Sequence, residues 1–200
     1  MHFDLIVVGG GAAGFFGAIQ AAEMKPGLKV LILEKSSKLL SKVRISGGGR
    51  CNVTHYNYNP FTFARHYPRG EKALKNLLKI YHAEHVVKWF GSRGVHLKSE
   101  SDGRMFPTTN SSQTIIDCFT HAAQTLQIQI KTGINVSRID QALGALSVRS
   151  SDGQIYEGQK VLIATGGNSN LASYELIANL NHSLRSPIPS LFTFNDSEQK

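Results

Sequence analysis

Four glycine-bearing segments have residue types and spacings suited to holding a phosphate-containing ligand. The first, Gly9-Gly10-Gly11-Ala12-Ala13-Gly14, fits G-x-G-x-x-G at Gly9, Gly11 and Gly14, and Glu34 follows 20 residues after Gly14. In a strand–turn–helix setting this pattern binds a dinucleotide. Gly9 permits the tight turn, Gly11 lets backbone approach a pyrophosphate, and Gly14 lets helix pack on strand. The helix N-terminus, with Ala12 and Ala13, faces the diphosphate with unpaired N–H groups and a partial positive charge. The Glu34 carboxylate accepts hydrogen bonds from a ribose hydroxyl and repels a 2′-phosphate, which speaks against free NADP in this site.

The second segment is Ser46-Gly47-Gly48-Gly49-Arg50-Cys51-Asn52. Three adjacent glycines let backbone pass a flat or charged ligand without Cβ atoms in the way. Arg50 either neutralises phosphate or holds the segment, and Asn52 both donates and accepts. Gly103-Arg104-Met105-Phe106-Pro107 and Ala164-Thr165-Gly166-Gly167 are the third and fourth.

The elements around these segments supply the setting. Asp4 to Val8 is a short apolar run of buried-strand type, Ala12 to Met24 reads as helix, and Lys29 to Glu34 is a second apolar strand. Together they form a βαβ unit. Residues 36–70 lack clear periodicity. Leu74, Leu77, Leu78 and Tyr81 mark an amphipathic helix, and the lysines between them, Lys72, Lys75 and Lys79, read as its solvated face. Val86, Val87 and Phe90 predict a second helix, with Trp89 and Phe90 in the core. Val95 to Lys98 alternates, Ser99 to Thr109 reads as loop, and Ile115 to Leu126 is helical with Asn110, Ser111 or Ser112 as N-cap. Ile128–Lys131, Val136–Ile139 and Leu146–Arg149 alternate as strands, with a turn at Ser151-Asp152-Gly153. A continuous apolar strand covers Lys160–Ala164, and Leu171–Leu180 reads as one more helix.

The 200 residues carry 22 Lys and Arg against 14 Asp and Glu, a net charge of +8. Such a surplus suits an anionic cofactor, nucleic acid or anionic lipid. The basic residues are scattered, and no zinc finger, aromatic RNA-binding motif or long basic arm accompanies them, so no nucleic-acid partner is expected. No run is long enough to span a bilayer, so no membrane partner is expected either. Two cysteines, Cys51 and Cys118, exclude a disulfide scaffold and a four-cysteine metal site, and the chain is expected to be cytoplasmic.

The motifs VVGGGAAG (residues 7–14), LEK (33–35), ISGGGRCNVT (45–54), GRMFP (103–107) and ATGG (164–167) resemble those of the BaiN-type flavoproteins. These YhiN-like, aminoacetone-oxidase-family proteins belong to the NAD(P)/FAD-dependent oxidoreductase superfamily. The resemblance covers essentially the whole chain, and ISGGGRCN is its most diagnostic part. It implies an α/β, Rossmann-like three-layer ββα FAD-binding domain of glutathione-reductase type, with a parallel sheet and a small antiparallel β-meander. It implies FAD as cofactor, with NAD(P)H as a candidate reductant and a small molecule as substrate. The ADP half would lie on Gly9, Gly11, Ala12, Ala13, Gly14, Glu34 and Lys35. Ser46, Gly47, Gly48, Arg50, Cys51 and Asn52 would approach the ribityl chain and flavin, Val136 would meet adenine through its backbone, and Thr165, Gly166 and Gly167 would lie near the diphosphate.

Two departures from the family pattern are visible. Leu39 to Arg44 stands where Gly-Arg-Lys is common, and Asn168 to Tyr174 lacks a proline and a glycine-rich stretch. Family members are also about twice as long. Residues 1–200 are therefore expected to be one incomplete FAD-binding domain, a fragment ending near Pro189-Ser190-Leu191. Its helical and loop insertion covers about 55–127 and its meander about 134–158, without substrate domain or C-terminal flavin segment.

No catalytic residue is assigned. Cys51 and Cys118 do not form a C-x-x-C pair, and His82 and His85 lack a third metal ligand. The alternatives are an NAD-linked dehydrogenase, and a non-catalytic or split FAD module that needs a missing half.

Overall fold

The computed structural model describes residues 2–142, 144–167 and 174–187. The chain opens with β1 (His2–Val8), α1 (Ala12–Met24) and β2 (Val30–Leu33), the expected βαβ unit. A short helix α2 (Ser41–Ile45) runs into a 3₁₀ turn over Ser46–Gly49. Next come β3 (Thr54–His55), α3 (Pro60–Ala64), α4 (Glu71–Ile80), α5 (Ala83–Gly91), β4 (Leu97–Ser99) and β5 (Arg104–Pro107). Helix α6 (Ser112–Thr125) leads to β6 (Gln129–Lys131), β7 (Val136–Ala142), β8 (Ala145–Ser150) and β9 (Ile155–Ile163), followed by α7 (Glu175–Ala178).

The main sheet has the order β6-β2-β1-β9-β8-β7. Its β6, β2, β1 and β9 are parallel, while β7, β8 and β9 form an antiparallel meander. Both faces of the parallel part are buried, which explains the uninterrupted apolar runs in β1 and β2. Val7, Val30 and Ile32 pack with Phe15, Ala18 and Ile19 of α1 and with Ile115 and Phe119 of α6. Ile6, Val8, Leu31 and Leu33 pack on the other face with Ile139, Val148 and Tyr156 of the meander. Helices, sheet and meander thus make three layers. A second, three-stranded antiparallel sheet has the order β3-β5-β4.

The structure differs from the sequence reading in several places. The meander's last strand and the apolar strand at Lys160–Ala164 are one strand, β9. Residues Ile155–Gly158 pair with β8, and Glu157–Ile163 pair with β1. Arg104–Pro107, read as loop, is the central strand of the small sheet, and it buries Met105 and Phe106. Four residues are too few to show a period, and the flanking glycine and proline suggest a turn. Helix α4 forms where expected but buries none of its residues. The capping positions of α5 use the two histidines. His82 Nδ1 accepts from Glu84 N–H at 3.3 Å, and His85 Nδ1 accepts from His82 N–H at 3.1 Å. Ser111 is the N-cap of α6. Residues 168–173 and 188–200, which hold the start of the helix read at Leu171–Leu180 and the Pro-Ser-Leu stretch, lie outside the described residues.

Candidate functional site

The C-terminal ends of β1 and β9 and the N-terminus of α1 meet in one crevice, the place where open α/β sheets hold ligands. A Cβ on Gly9 would overlap the carbonyl oxygen of Ala164, and Gly9 has φ +115°; a Cβ on Gly14 would overlap the Gly9 carbonyl oxygen. Both glycines are therefore demanded by backbone-to-backbone approach inside the protein. Gly10, which the motif does not require, is also confined: its Cβ would stand 2.8 Å from Leu39 Cδ2 and 3.0 Å from Glu34 Cβ. Gly11 is the exception, with open space around its Cβ position. It is the N-cap of α1 in extended conformation, and neither a side-chain cap nor an acidic first-turn residue shields the helix end. That end is open to an anion, with Ala12 and Ala13 exposed beside it.

Glu34 faces the same turn. Its Oε2 accepts from Gly10 N–H at 2.7 Å and its Oε1 from Ser36 N–H at 2.8 Å. Two backbone donors thus orient the carboxylate, and each oxygen keeps a further acceptor direction for a ribose hydroxyl. Lys35 is exposed. The chain around Ile134 runs alongside, with Ile134 N–H on Glu34 O at 2.9 Å, which brings half-buried Val136 at the start of β7 to this end of the crevice.

The Ala164–Gly167 turn is tied to β1 by Ala164 N–H on Val8 O at 2.8 Å, and Gly166 has φ +76°. Thr165 and Gly167 are exposed. Lys42, on α2, reaches across to donate from Nζ to Gly167 O at 3.2 Å, and among the described residues it forms no ion pair. Sequence reasoning did not single it out, because its partner lies 125 residues away.

Helix α2 connects the crevice to the second glycine segment. Leu40 N–H donates to Gly10 O at 2.9 Å, and Leu40, fully buried, holds φ 55° at the helix N-cap. Three left-handed glycines follow, Gly47 (φ 56°), Gly48 (φ 67°) and Gly49 (φ 83°), and then Cys51 (φ 62°). A Cβ on Gly47 would stand 2.7 Å from Phe106 Cε1 and 2.8 Å from Asn52 N, whereas Gly48 and Gly49 face open space. Ser46 Oγ donates to Val43 O at 3.1 Å. Arg50 pairs with Glu100 and lies over the Phe106 ring, its Cζ 4.0 Å from the centroid. Of the two roles open to it, the geometry supports holding the segment in place. Cys51 is buried, and burial pushes its thiol pKa up from an ordinary value of 9.0, opposed by a hydrogen bond to Ser46. Asn52 is exposed. Cys118 is half-buried on α6, with its thiol also raised by burial.

The crevice could hold a nucleotide diphosphate: an uncapped helix end, open space at Gly11, an oriented carboxylate and, among the described residues, a lysine without an acidic partner face it.

Residues 3–187 match a family described as the HI0933-like protein Rossmann domain. The chain is 26% identical over 191 residues to a 3-dehydro-bile acid delta(4,6)-reductase of Clostridium scindens, covering 92% of this chain and 46% of the relative. It is 26% identical over 168 residues to a ribosomal RNA dihydrouridine synthase of Escherichia coli, covering 84% and 40%. The chain thus spans less than half the length of these curated relatives. Among solved structures, Thermovibrio ammonificans THI4 superposes with a TM-score of 0.59 at 13% identity, covering 89% of this chain and 62% of that one. The 3-ketosteroid-delta4-(5alpha)-dehydrogenase of Rhodococcus jostii RHA1 gives 0.60 at 18% identity, covering 83% and 46%. These likenesses show the Rossmann-like fold.

Proposed function

The chain belongs to the HI0933-like family of FAD-dependent Rossmann proteins, and from that membership we propose that it is the FAD-binding part of a flavin oxidoreductase acting on a small molecule. The observation that carries the reading is the crevice at Gly11, where the uncapped end of α1 and the doubly anchored Glu34 carboxylate face the same opening. Gly9 and Gly14 shape the turn. Ala12 and Ala13 present backbone N–H groups to the diphosphate, and Glu34 accepts from the ribose, with Lys35 beside it. Thr165, Gly166 and Gly167 close the diphosphate side. Val136 meets adenine through its backbone. Ser46, Gly47, Gly48, Arg50, Cys51 and Asn52 form the wall along the ribityl chain and flavin, and Arg50 keeps that wall rigid.

Bound flavin supplies the hydride-accepting and hydride-donating ring. NAD(P)H is the proposed reductant. One curated relative is named a 3-dehydro-bile acid delta(4,6)-reductase and another a ribosomal RNA dihydrouridine synthase, and we propose an unsaturated ring compound as acceptor here.

The test is a visible spectrum of the desalted protein with and without added FAD. A flavin spectrum that survives desalting is expected; a protein that retains none of the added FAD overturns the reading for this chain. A second reading, a split module that holds FAD only with a further segment, is favoured by one observation. The edge of β9 beyond Gly158 has no described partner strand on the side of β8, and an open groove of about 790 Å³ lined by Leu146, Val161, Ile163 and Leu180 lies beside it. Retention restored only in a longer chain would select that reading.

A further inference from the structure

The segment from Tyr56 to Tyr81 presents apolar and basic side chains together on the outside of the molecule. In α4, Ala73, Leu77 and Ile80 recur at i, i+4 and i+7, and Leu77 is 60% and Ile80 76% exposed. Leu74 and Leu78, on the adjacent stripe, are only half-buried. Phe61 in α3 and Tyr67 after it are 49% and 46% exposed. On the other flank of α4, Lys72, Lys75 and Lys79 recur at i, i+3 and i+7, and exposed Arg65 and Arg69 precede the helix. Glu71 is the one acidic residue of the segment, and it is paired with Lys75 at 2.6 Å. Lys79 Nζ lies 5.4 Å from the Phe61 ring centroid.

A helix with a strong apolar stripe, low overall hydrophobicity and lysines on its polar flank is suited to lie in a bilayer interface. We propose that α3 and α4 form a peripheral docking surface for an anionic lipid bilayer. The apolar stripe of α4 enters the headgroup boundary, and Arg65, Arg69, Lys72 and Lys79 contact the anionic headgroups. Charge complementarity selects this occupant. A second copy of the same face would bring like charges together. Single-stranded RNA stacks on planar side chains; the exposed rings of Tyr56, Phe61 and Tyr67 lie outside α4, whose own exposed apolar residues, Leu77 and Ile80, are aliphatic. Among the described residues no helix is long and apolar enough to cross a bilayer, and the proposal concerns a helix lying on its surface. The proposal is independent of the flavin reading, since none of these residues lines the glycine crevice.

The experiment is co-sedimentation of the protein with vesicles of phosphatidylcholine alone and of an equal mixture of phosphatidylcholine and phosphatidylglycerol, across a salt series. Binding to the mixed vesicles that falls with salt, and little binding to phosphatidylcholine, is expected. Each basic residue near the surface contributes about fivefold, so Lys72→Glu with Lys79→Glu should lower partitioning by about 25-fold or more. Leu77→Glu with Ile80→Glu should abolish binding at any salt concentration. Circular dichroism on both pairs checks the fold, which these exposed positions leave intact. Four results overturn the proposal: no binding to mixed vesicles, equal binding to both vesicle types, binding to homopolymer RNA instead, or self-association abolished by Leu77→Glu with Ile80→Glu.

Discussion

The guanidinium of Arg50 lies over the ring of Phe106, its Cζ 4.0 Å from the centroid, and so joins the glycine-rich turn to the central strand of the small sheet. The edge of the same ring limits Gly47, whose Cβ would stand 2.7 Å from Cε1. Phe106 itself is fully buried. Two motifs separated by about fifty residues in the chain are therefore one structural unit, and the left-handed backbone of Gly47 to Gly49 is held from behind by a side chain of the other motif.

This joint can be dissected by two substitutions. The Arg50–Glu100 pair is about one-third exposed on each side, so solvent screening leaves it worth less than about 1 kcal/mol. The stacked guanidinium is worth about 0.5–2 kcal/mol. Arg50→Ala should therefore lower stability in urea unfolding by about 1–2 kcal/mol, and Glu100→Gln by clearly less. Equal losses would show that the ion pair, and not the stack, holds the turn.

Gly11 and Gly14 should separate ligand binding from folding. Gly14→Ala places a methyl against the Gly9 carbonyl, with α1 and β1 unable to part freely, and should cost about 3 kcal/mol or more in stability. Gly11→Ala meets nothing in the protein and loses only the N-cap preference for glycine over alanine, so the unfolding free energy should stay within about 1 kcal/mol of the parent. Its added methyl instead projects into the open crevice. FAD affinity, measured by flavin fluorescence titration, should fall for Gly11→Ala without any loss of fold.

Leu40 sets backbone strain against burial. A left-handed leucine costs about 1–2 kcal/mol relative to glycine, and removing a fully buried leucine costs about 2–5 kcal/mol. Leu40→Gly should thus destabilise by about 1–3 kcal/mol net, because packing outweighs relieved strain. A stabilising effect in urea unfolding would show the opposite balance.

Asp152 makes stability depend on pH in the turn between β8 and β9. It accepts from Ser150 Oγ, from the Gln154 side chain at 2.7 Å and from Gln154 N–H, and these bonds hold its pKa below the ordinary 3.8. The carboxylate is favoured in the folded state, so its contribution is present at neutral pH and is lost as pH falls through the lowered folded value. Asp152→Asn should lower Tm at pH 7 and leave it unchanged well below pH 3.8, read by thermal unfolding at both pH values.

The βαβ start, α5, α6 and the strands of the meander were legible because their periods are local: apolar runs where both sheet faces are buried, i, i+3, i+4 recurrence where one helix face is. Short elements were not. Helix α2 and strand β5 have five and four residues, too few for a period to emerge, and both are held by contacts distant in the chain, such as Leu40 N–H on Gly10 O and Val53 N–H on Met105 O. The glycine turn could be anticipated from spacing, since Gly14 is confined by the carbonyl of Gly9 only five residues away, whereas the confinement of Gly9 by the Ala164 carbonyl is a contact between distant segments.

What the amino-acid sequence determined by itself was the kind of local backbone each segment can adopt: where glycine permits a close turn, where a helix starts, and where a strand must be buried on both faces. Tertiary structure alone decided which charged groups find each other. Arg50 turns to Glu100 and Phe106, and Lys42 to the Gly167 carbonyl. It also decided that β9 pairs in parallel with β1 and antiparallel with β8 in one sheet, and that α4 keeps its apolar stripe outside. The physical reason is range. Steric limits on φ and ψ act within a few residues, whereas the partner of an ion or an apolar face depends on distances between segments that only the folded chain brings together.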